Sequence, residues 1–554
     1  MSSLKRRSSP STLPPSKRLH ILNGAVPLSQ LTFDSVLYEE LILLIFANLS
    51  WIDLCSAQAV NRNWARLSLD NGLWKEQYLQ VFGRSRLRGA KGVFGRTDGR
   101  AIKPLPETAQ AQDVQDWRWM FRISWNWKKG RCSTKHIEGI MKPGSTPTST
   151  PPHVLLAGSM TIIASSEASV CPEIHCLHSA SPLRQTLSCG SPRQRQPFHI
   201  TALALDQSPP LSGFLRLAAF LSTGEFLVFS IHQLNPSASS RKLTYHPFRP
   251  SPRTAPIIQA VYHHPLLISL SETFSLSLYD LSSDTISHTQ TLTAYTTFPP
   301  CSLILSAQAP GSRYKLVLTY AVPIFPVHFS IGKESLVFIS DCVTELIISG
   351  SRAPSPSLSS SPSPAGLMSV ISTRTTRALD VPSGWIDQEK LRSMKEQWGR
   401  KLLRIQDTKS DGKWVVLAPG EALASDRHAA SDTAVSPYQL SGDSPASLQL
   451  YRLSLPPVTS VASPPPKLTF TRYLHHTAGA VSSLTIADGR CVTLGKNGGI
   501  WVWDLESGTG AEVQPPSRLF GDESQTLEKG TVVFDDRRII TARGGILLVH
   551  RFDI

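Results

Sequence analysis

The sequence predicts a multidomain chain: an N-terminal all-α unit of short helices, then a long, mainly all-β region. Three observations predict it. Residues 31–83 carry apolar side chains at helical spacing, punctuated by capping residues. From about His153 the texture changes to short apolar runs separated by Pro, Ser and Gly clusters. And 554 residues are too many for one ordinary core, so two or three units are expected.

The helical region is read in order. A first helix over about Ser35 to Asn48 places Leu37, Leu41, Leu44, Ile45 and Asn48 at helical spacing. Ile42, Leu43 and Phe46 fill its other sides. A helix apolar nearly all round must be covered on more than one face. A segment of this size has too little mass to do that alone, so the rest of the chain or a partner must. A second helix starts after Ser50, with Asp53 three residues on as a capping-box-like pair. A third shows Val60, Trp64 and Leu67 at i, i+4 and i+7. A fourth begins near Asp70, a suitable N-cap, shows Trp74, Tyr78 and Val81, and stops at Gly83.

The stretch VLYEELILLIFANLSWIDLCSAQAVNRNWARLSLDNGLW (residues 36–74) resembles an F-box. It supplies, in order and spacing, Leu37, Glu39, Glu40, Leu41, Ile45, Phe46, Leu49, Asp53, Leu54, Val60, Trp64, Leu67, Leu73 and Trp74. Two positions depart from the pattern. Tyr38 stands where the family has Pro, which bears on how the first helix begins, and Asn61 stands where Cys is common. The resemblance implies that residues 31–83 bind a Skp adaptor and, through it, a cullin. The implied contact residues are Leu37, Tyr38, Leu41, Ile45, Phe46, Leu49, Leu54, Val60, Trp64, Leu67 and Trp74.

Residues 1–30 are expected to be a disordered basic tail. Its clusters Lys5-Arg6-Arg7 and Lys17-Arg18 are similar to a bipartite nuclear import signal. Residues 84–152 are expected to be a basic linker. Within it a Trp-rich helix near 113–129 carries Val114, Trp117, Phe121 and Trp125 at helical spacing, followed by Trp127, Lys128, Lys129 and Gly130. The string DWRWMFRISWNWKKGRC is similar to the segment joining the F-box to the propeller in F-box/WD-repeat proteins. A basic aromatic helix could instead stack on bases, but Trp spaced along one helix face is more often core.

The clearest β repeat is VSSLTIADGRCVTLGKNGGIWVWDLESG, residues 481–508. Asp488-Gly489 and Asn497-Gly498 suit tight hairpins, and Trp503-Asp504 ends the last strand. It resembles one WD repeat of a β-propeller. That resemblance makes His476 and Asp488 the pair that would hydrogen-bond within the blade. Residues 200–232, 257–281 and 532–554 repeat the three-strand rhythm more weakly, and between 300 and 460 the repeats blur. SRAPSPSLSSSPSPA (351–365) is expected to be a disordered insertion. Residues 153–554 are therefore assigned to a divergent WD-like propeller of seven blades, a number taken from the family. Residues 153–165 are expected to complete the last blade beside the C-terminal strands.

Chemical motifs are absent. There is no phosphate-binding Gly loop, nucleophile elbow or H-E-x-x-H. CPEIHCLH gathers Cys171, His175, Cys176 and His178, without a second ligand pair at zinc-site spacing. No cofactor and no metal are expected, and no catalysis. A formal charge of +15 favours acidic or phosphorylated partners without naming one. Arg472, Arg490, Arg543 and Arg551 lie near blade ends. No apolar run reaches the roughly 20 residues of a membrane helix, and MSSLKRRSSP has no signal-peptide core. The expected location is intracellular, in the nucleus and/or cytoplasm, with no membrane partner. The function these readings favour is substrate recognition for an SCF-type ubiquitin ligase, with an unknown, possibly phosphorylated protein substrate. A propeller scaffold on the Skp adaptor outside any ligase, and a nucleic-acid-associated nuclear protein, are the alternatives; nucleic acid is the weaker partner.

Overall fold

The computed structural model describes residues 33–82, 116–137 and most of 151–554. The basic tail, the linker segments 84–112 and 141–150 and the insertion 351–365 lie outside the described residues. Two units separate, one ending at Val81 and the other running from Phe82 to Ile554.

The first unit is five helices: α1 (Phe33–Val36), α2 (Glu39–Phe46), α3 (Trp51–Ala57), α4 (Arg62–Leu67) and α5 (Asn71–Phe82). Their starts are set locally. Ser50 Oγ accepts the Asp53 N–H at 3.3 Å and donates to the Asp53 carboxylate at 2.7 Å. Asn61 Oδ1 accepts the Trp64 N–H at 2.8 Å, which gives the departure from Cys a job as the N-cap of α4. Asp70 Oδ1 accepts from the N–H groups of Gly72 and Leu73.

The second unit is a β-propeller. Among the described residues its strands form seven sheets, spanning residues 153–188, 200–245, 257–293, 298–376, 405–475, 481–514 and 531–551. Each has four strands in antiparallel order, the seventh taking its outer strand from Ser133–Ile137 and the fourth having one short extra strand, His328–Ile331. The first strand of each sheet lies beside the first strand of the next, and the seventh lies beside the first, so the row is a closed ring.

Every sheet shares an apolar core with both neighbours. Ile162, Ile174, Leu217 and Phe229 lie between the first two, Ile540, Leu547, Val154 and Ile163 between the last and the first. A polar clasp accompanies each junction. In ring order, His153 Nε2 meets the Ile200 carbonyl at 3.0 Å, Asp206 accepts the His264 N–H at 2.9 Å, and Gln259 donates to the Cys301 carbonyl at 2.6 Å. Ser302 Oγ accepts the Ser410 N–H, Asp407 that of Leu484, and Ser482 that of Gly530. Thr531 Oγ1 donates to Pro152 O, and Arg538 Nη2 to Gly158 O, closing the circle. A cavity of about 340 Å³ at the inner strands is lined by residues that include His153, Ile258, Gln259 and Lys409.

The closing strand is not the expected one. Ser133–Ile137 pairs antiparallel with Leu547–Arg551, whereas His153–Ala157 and Met160–Ala164 open the first sheet. The reason lies just upstream. Helix α6 (Trp117–Lys129) packs on the last two sheets through Ile123 and Trp127, which join Val492, Ile500, Ile539 and Phe552 in one core. Trp127 stacks on Phe552 at 4.0 Å, donates from Nε1 to Asp536 O, and carries the Arg490 guanidinium on its ring at 4.9 Å. Asn126 donates to Phe552 O at 2.9 Å. Gly130, with φ +67, is the left-handed cap that turns the chain into the closing strand. A Cβ there would lie 2.0 Å from the Glu512 carbonyl oxygen. The Trp-rich helix thus packs into the core through Trp117 and Trp127, with Trp119 and Trp125 half-buried.

The WD-like blade forms in part as expected. Asp488 (φ +48) and Gly489 (φ +74) make the first turn, Gly498 (φ +82) the second. Asp504 Oδ1 accepts from the N–H groups of Glu506 and Ser507 and shapes the turn after the last strand. Trp503 is buried and lies flat enough on the outer strand that a Cβ at Gly510 would meet its ring at 2.4 Å. The His476–Asp488 hydrogen bond is not made: His476 is buried with neither ring nitrogen bonded, while Asp488 is exposed in its turn. The extra residue between His476 and Val481 draws the imidazole out of register with that turn. The buried turn carboxylate of the preceding sheet, Asp411, makes the comparable connection, accepting from Trp414 N–H at 2.7 Å and from Gly489 N–H at 3.1 Å. Repeats 298–376 and 405–475 blur in sequence because long segments separate their strands, and α7 (Gln388–Trp398) lies between the two sheets.

Two outcomes follow. Trp127→Ala should destabilise the propeller by about 3–5 kcal/mol and raise amide exchange across Ser133–Ile137, as read by thermal melts and hydrogen exchange; unchanged protection of that strand would contradict the anchoring role. Burial also lowers the pKa of His476 and of His550, each from 6.5 to about 4. Between those values the unfolded chain binds more protons than the folded one. This stability is therefore complete above about pH 6.5 and is lost as pH falls toward 4, by about 3 kcal/mol per histidine. Denaturant titrations should show that decline, and His476→Asn should make it shallower.

Candidate docking site on the N-terminal helices

The sequence-predicted contact residues divide into three groups once α1–α5 assemble. Phe46, Leu54, Leu67 and Trp74 are buried and form the unit's own core, with Ile42, Ala57, Leu73 and Tyr78. Leu37, Leu49 and Trp64 are half-buried. Tyr38, Leu41, Ile45 and Val60 are exposed, Tyr38 by 66% and Val60 by 59%. The first group holds the unit together and the third is open to solvent.

Helical geometry produces this division. Ile42 and Phe46 are four apart on α2 and face inward, where Phe46 meets the edge of Trp64 at 5.4 Å. Phe33 of α1 reaches the same indole at 5.4 Å. Leu41, Leu44 and Ile45 then turn outward, Leu44 being 64% exposed. The core is also tied by two polar bonds: Trp74 Nε1 donates to Ser68 O at 2.9 Å, and buried Gln77 donates to Leu49 O at 2.8 Å. The second bond fixes the turn after α2 against α5.

Tyr38 occupies the N-cap of α2 with φ −67 and ψ 151, and its side chain makes no cap bond. That φ is the value a proline ring imposes. The chain therefore enters α2 as it would with Pro, and Tyr38 adds an exposed ring at the helix start. Glu39 pairs with Arg66 across to α4, a surface pair of small energetic weight.

Sequence reasoning did not single out Val36, Leu44, Ile52 or Leu69 as contact residues, yet all are exposed apolar side chains of this unit. Leu44 was visible at i+3 from Leu41. Ile52 was not, because α3 has only seven residues and no clear stripe.

The family model described as F-box-like matches residues 39–80. Residues 39–80 are an F-box-like domain. Three curated relatives carry the description "Probable E3 ubiquitin ligase complex SCF subunit sconB". Those of Arthroderma benhamiae and Trichophyton verrucosum are 29% identical and that of Arthroderma otae is 30% identical, each alignment covering 22% of this chain and 22% of the relative. The chain thus matches about a fifth of the length of those relatives. Among solved structures, the β-propeller domain of Myceliophteria thermophila Cps50 (Swd1) is 10% identical, with 75% of this chain and 99% of that one covered at a TM-score of 0.39. YCF48 bound to D1 peptide is 7% identical, with 76% and 96% covered at a TM-score of 0.36. The chain is an F-box-like domain followed by a β-propeller.

Elsewhere the candidate residues serve the fold. In the strand Glu173–His178, His175 and Cys176 point to opposite faces, Cys176 being buried with its thiol pushed up to about 12 by desolvation. His178 bonds Ser159. Among the described residues no three His, Cys, Asp or Glu side chains are placed to hold a metal, and no helix is long and apolar enough to cross a membrane. Arg472 donates to Ser507 O, Arg490 lies on Trp127, Arg551 pairs with Asp553 at 2.9 Å, and Arg543 is buried.

Phe46→Ala should cost about 3–5 kcal/mol, comparable to everything a core this small supplies. Protease sensitivity of residues 33–82 should rise sharply while propeller melting stays unchanged; resistance equal to wild type would refute the core assignment.

Proposed function

We propose that the chain is the substrate-recognition subunit of an SCF-type E3 ubiquitin ligase. The F-box-like helices bind the Skp adaptor and, through it, a cullin; the propeller binds the protein to be ubiquitinated. One observation carries the reading: an F-box-like unit that buries one face of α2 in its own core leaves Tyr38, Leu41, Leu44 and Ile45 exposed on the other. Apolar surface of this kind gains about 25 cal/mol per Å² when a partner removes it from water. Several half-exposed Leu and Ile side chains therefore amount to a binding site.

In this reading the chain performs no covalent step. Transfer of ubiquitin belongs to other subunits, and the receptor contributes proximity by holding the substrate lysines where the activated ubiquitin arrives. The excess of basic residues supports a substrate segment that is acidic or phosphorylated, since guanidinium groups bind phosphate through paired, charge-assisted hydrogen bonds. Action within the nucleus or cytoplasm is part of the proposal, because adaptor and cullin must be reached there.

Leu41→Asp and Ile45→Asp each place a charge at the interface without touching the core. Each should weaken capture of purified Skp adaptor by about 30-fold or more, with circular dichroism and melting of the full chain unchanged. Undiminished capture would overturn the adaptor assignment. Co-purification of cullin together with the adaptor supports the ligase role, whereas adaptor without cullin favours a scaffold outside the ligase.

A further inference from the structure

Helix α6 buries Trp117 and Trp127. Among the described residues of the second unit the other α-helix, α7, buries nothing. It is nevertheless well formed: Asp387 caps it, its Oδ1 accepting the Lys390 N–H at 2.8 Å. Trp385, just ahead of it, is 87% exposed, and Ile386, Leu391 and Trp398 are exposed as well. Large apolar side chains gathered in this way on a folded surface mark an interaction site.

The wheel of α7 is ordered. At 3.6 residues per turn, Leu391, Met394 and Trp398 fall within an arc of about 60° and span about 10 Å of helix. Lys390 and Lys395 fall on the two flanks of that stripe, Lys390 donating to the Trp385 carbonyl at 3.1 Å and lying 4.0 Å from Asp387 while half-exposed, and Glu389 and Glu396 fall on the side away from it. A surface complementary to this helix is an apolar groove whose rims are negatively charged. The stripe of Leu, Met and Trp has no β-branched member and fits a pliable groove, and the indoles of Trp385 and Trp398 stand at its two ends. Grooves of that chemistry are lined by methionine thioethers, which adapt to an indole, and are rimmed by carboxylates.

We propose that α7, with Trp385 and Ile386 ahead of it, is a docking helix for an EF-hand partner of the kind that opens an apolar, acid-rimmed groove when it binds Ca²⁺. The site is separate from the F-box-like helices and does not rest on the ligase reading. It adds a second partner whose binding follows Ca²⁺ concentration.

The test uses the full chain and calmodulin as the probe, with labelled calmodulin followed by anisotropy in Ca²⁺ and in EGTA. Expected is a Kd of about 1 μM or lower in Ca²⁺, at least a 100-fold weakening in EGTA, and loss of most of the affinity in Leu391→Glu/Trp398→Glu. Because both side chains are exposed, that variant should melt as wild type does. Lys395→Glu should weaken binding several-fold more at low salt than at high salt. Three results would each overturn the proposal: no Ca²⁺-dependent binding, binding that the double substitution leaves intact, or, with calmodulin inert, α7-dependent binding to phosphatidylserine/phosphatidylcholine vesicles, which would make α7 a membrane-surface helix instead.

Discussion

The antiparallel pairing of Ser133–Ile137 with Leu547–Arg551 completes the last sheet, which meets the first through a shared apolar core and the Thr531 and Arg538 bonds and so turns a row of sheets into a ring. A row has two ends, and each end is a sheet face without a neighbour. By lending the last sheet its outer strand, the N-terminal side of the propeller holds the C-terminal side in place. Five residues of ladder would be weak alone. They are held by what precedes them: Trp127 between Phe552 and Arg490, Asn126 on the Phe552 carbonyl, and Gly130 pressed against Glu512. The sequence Asn-Trp-Lys-Lys-Gly thus places an anchor, a helix stop and a close approach within five residues, and the closing strand begins three residues later.

Around the ring the apolar cores repeat while the polar clasps do not. His153, Asp206, Gln259, Ser302, Asp407, Ser482 and Thr531 belong to different chemical types, yet each spans one junction. A propeller of this construction needs a satisfied backbone group between neighbouring inner strands, and several side chains can satisfy it. That tolerance is why the sheets share a shape without sharing a repeat.

The same tolerance determined what could be read from the sequence. Turns were legible, because Asp488-Gly489 and Asn497-Gly498 need positive φ and few residues supply it. Strand runs such as 200–232 were legible for their three-strand rhythm and their Thr223-Gly224 turn. The closing strand was not. Ser133-Thr-Lys-His-Ile137 has three exposed residues and no apolar run, because an outermost strand is solvated on most of its surface. The expected His476–Asp488 bond failed for a related reason: a one-residue difference in spacing moves an imidazole away from its partner without altering the strands on either side. In the helical unit, residue types and the caps at Ser50 and Asp70 were legible, whereas Asn61, read only as a departure from Cys, showed its capping role in the structure. What a list of contact residues cannot carry is direction, and there Phe46, Leu54, Leu67 and Trp74 turned inward.

That direction explains why α2 can be apolar on nearly every side. A helix in a small unit has one face it can bury internally, here Ile42 and Phe46. Further Leu and Ile on other faces would ordinarily be replaced by polar residues, since they add nothing to the folded monomer and favour aggregation. Their presence is consistent with a chain whose working state has that face covered. Tyr38 fits the same account. At φ −67 a proline would serve the backbone equally well, so the tyrosine ring adds exposed surface at the start of α2 rather than a folding constraint. The two properties that first set this segment apart, an excess of apolar residues and a missing proline, both end as exposed apolar surface on the same short helix.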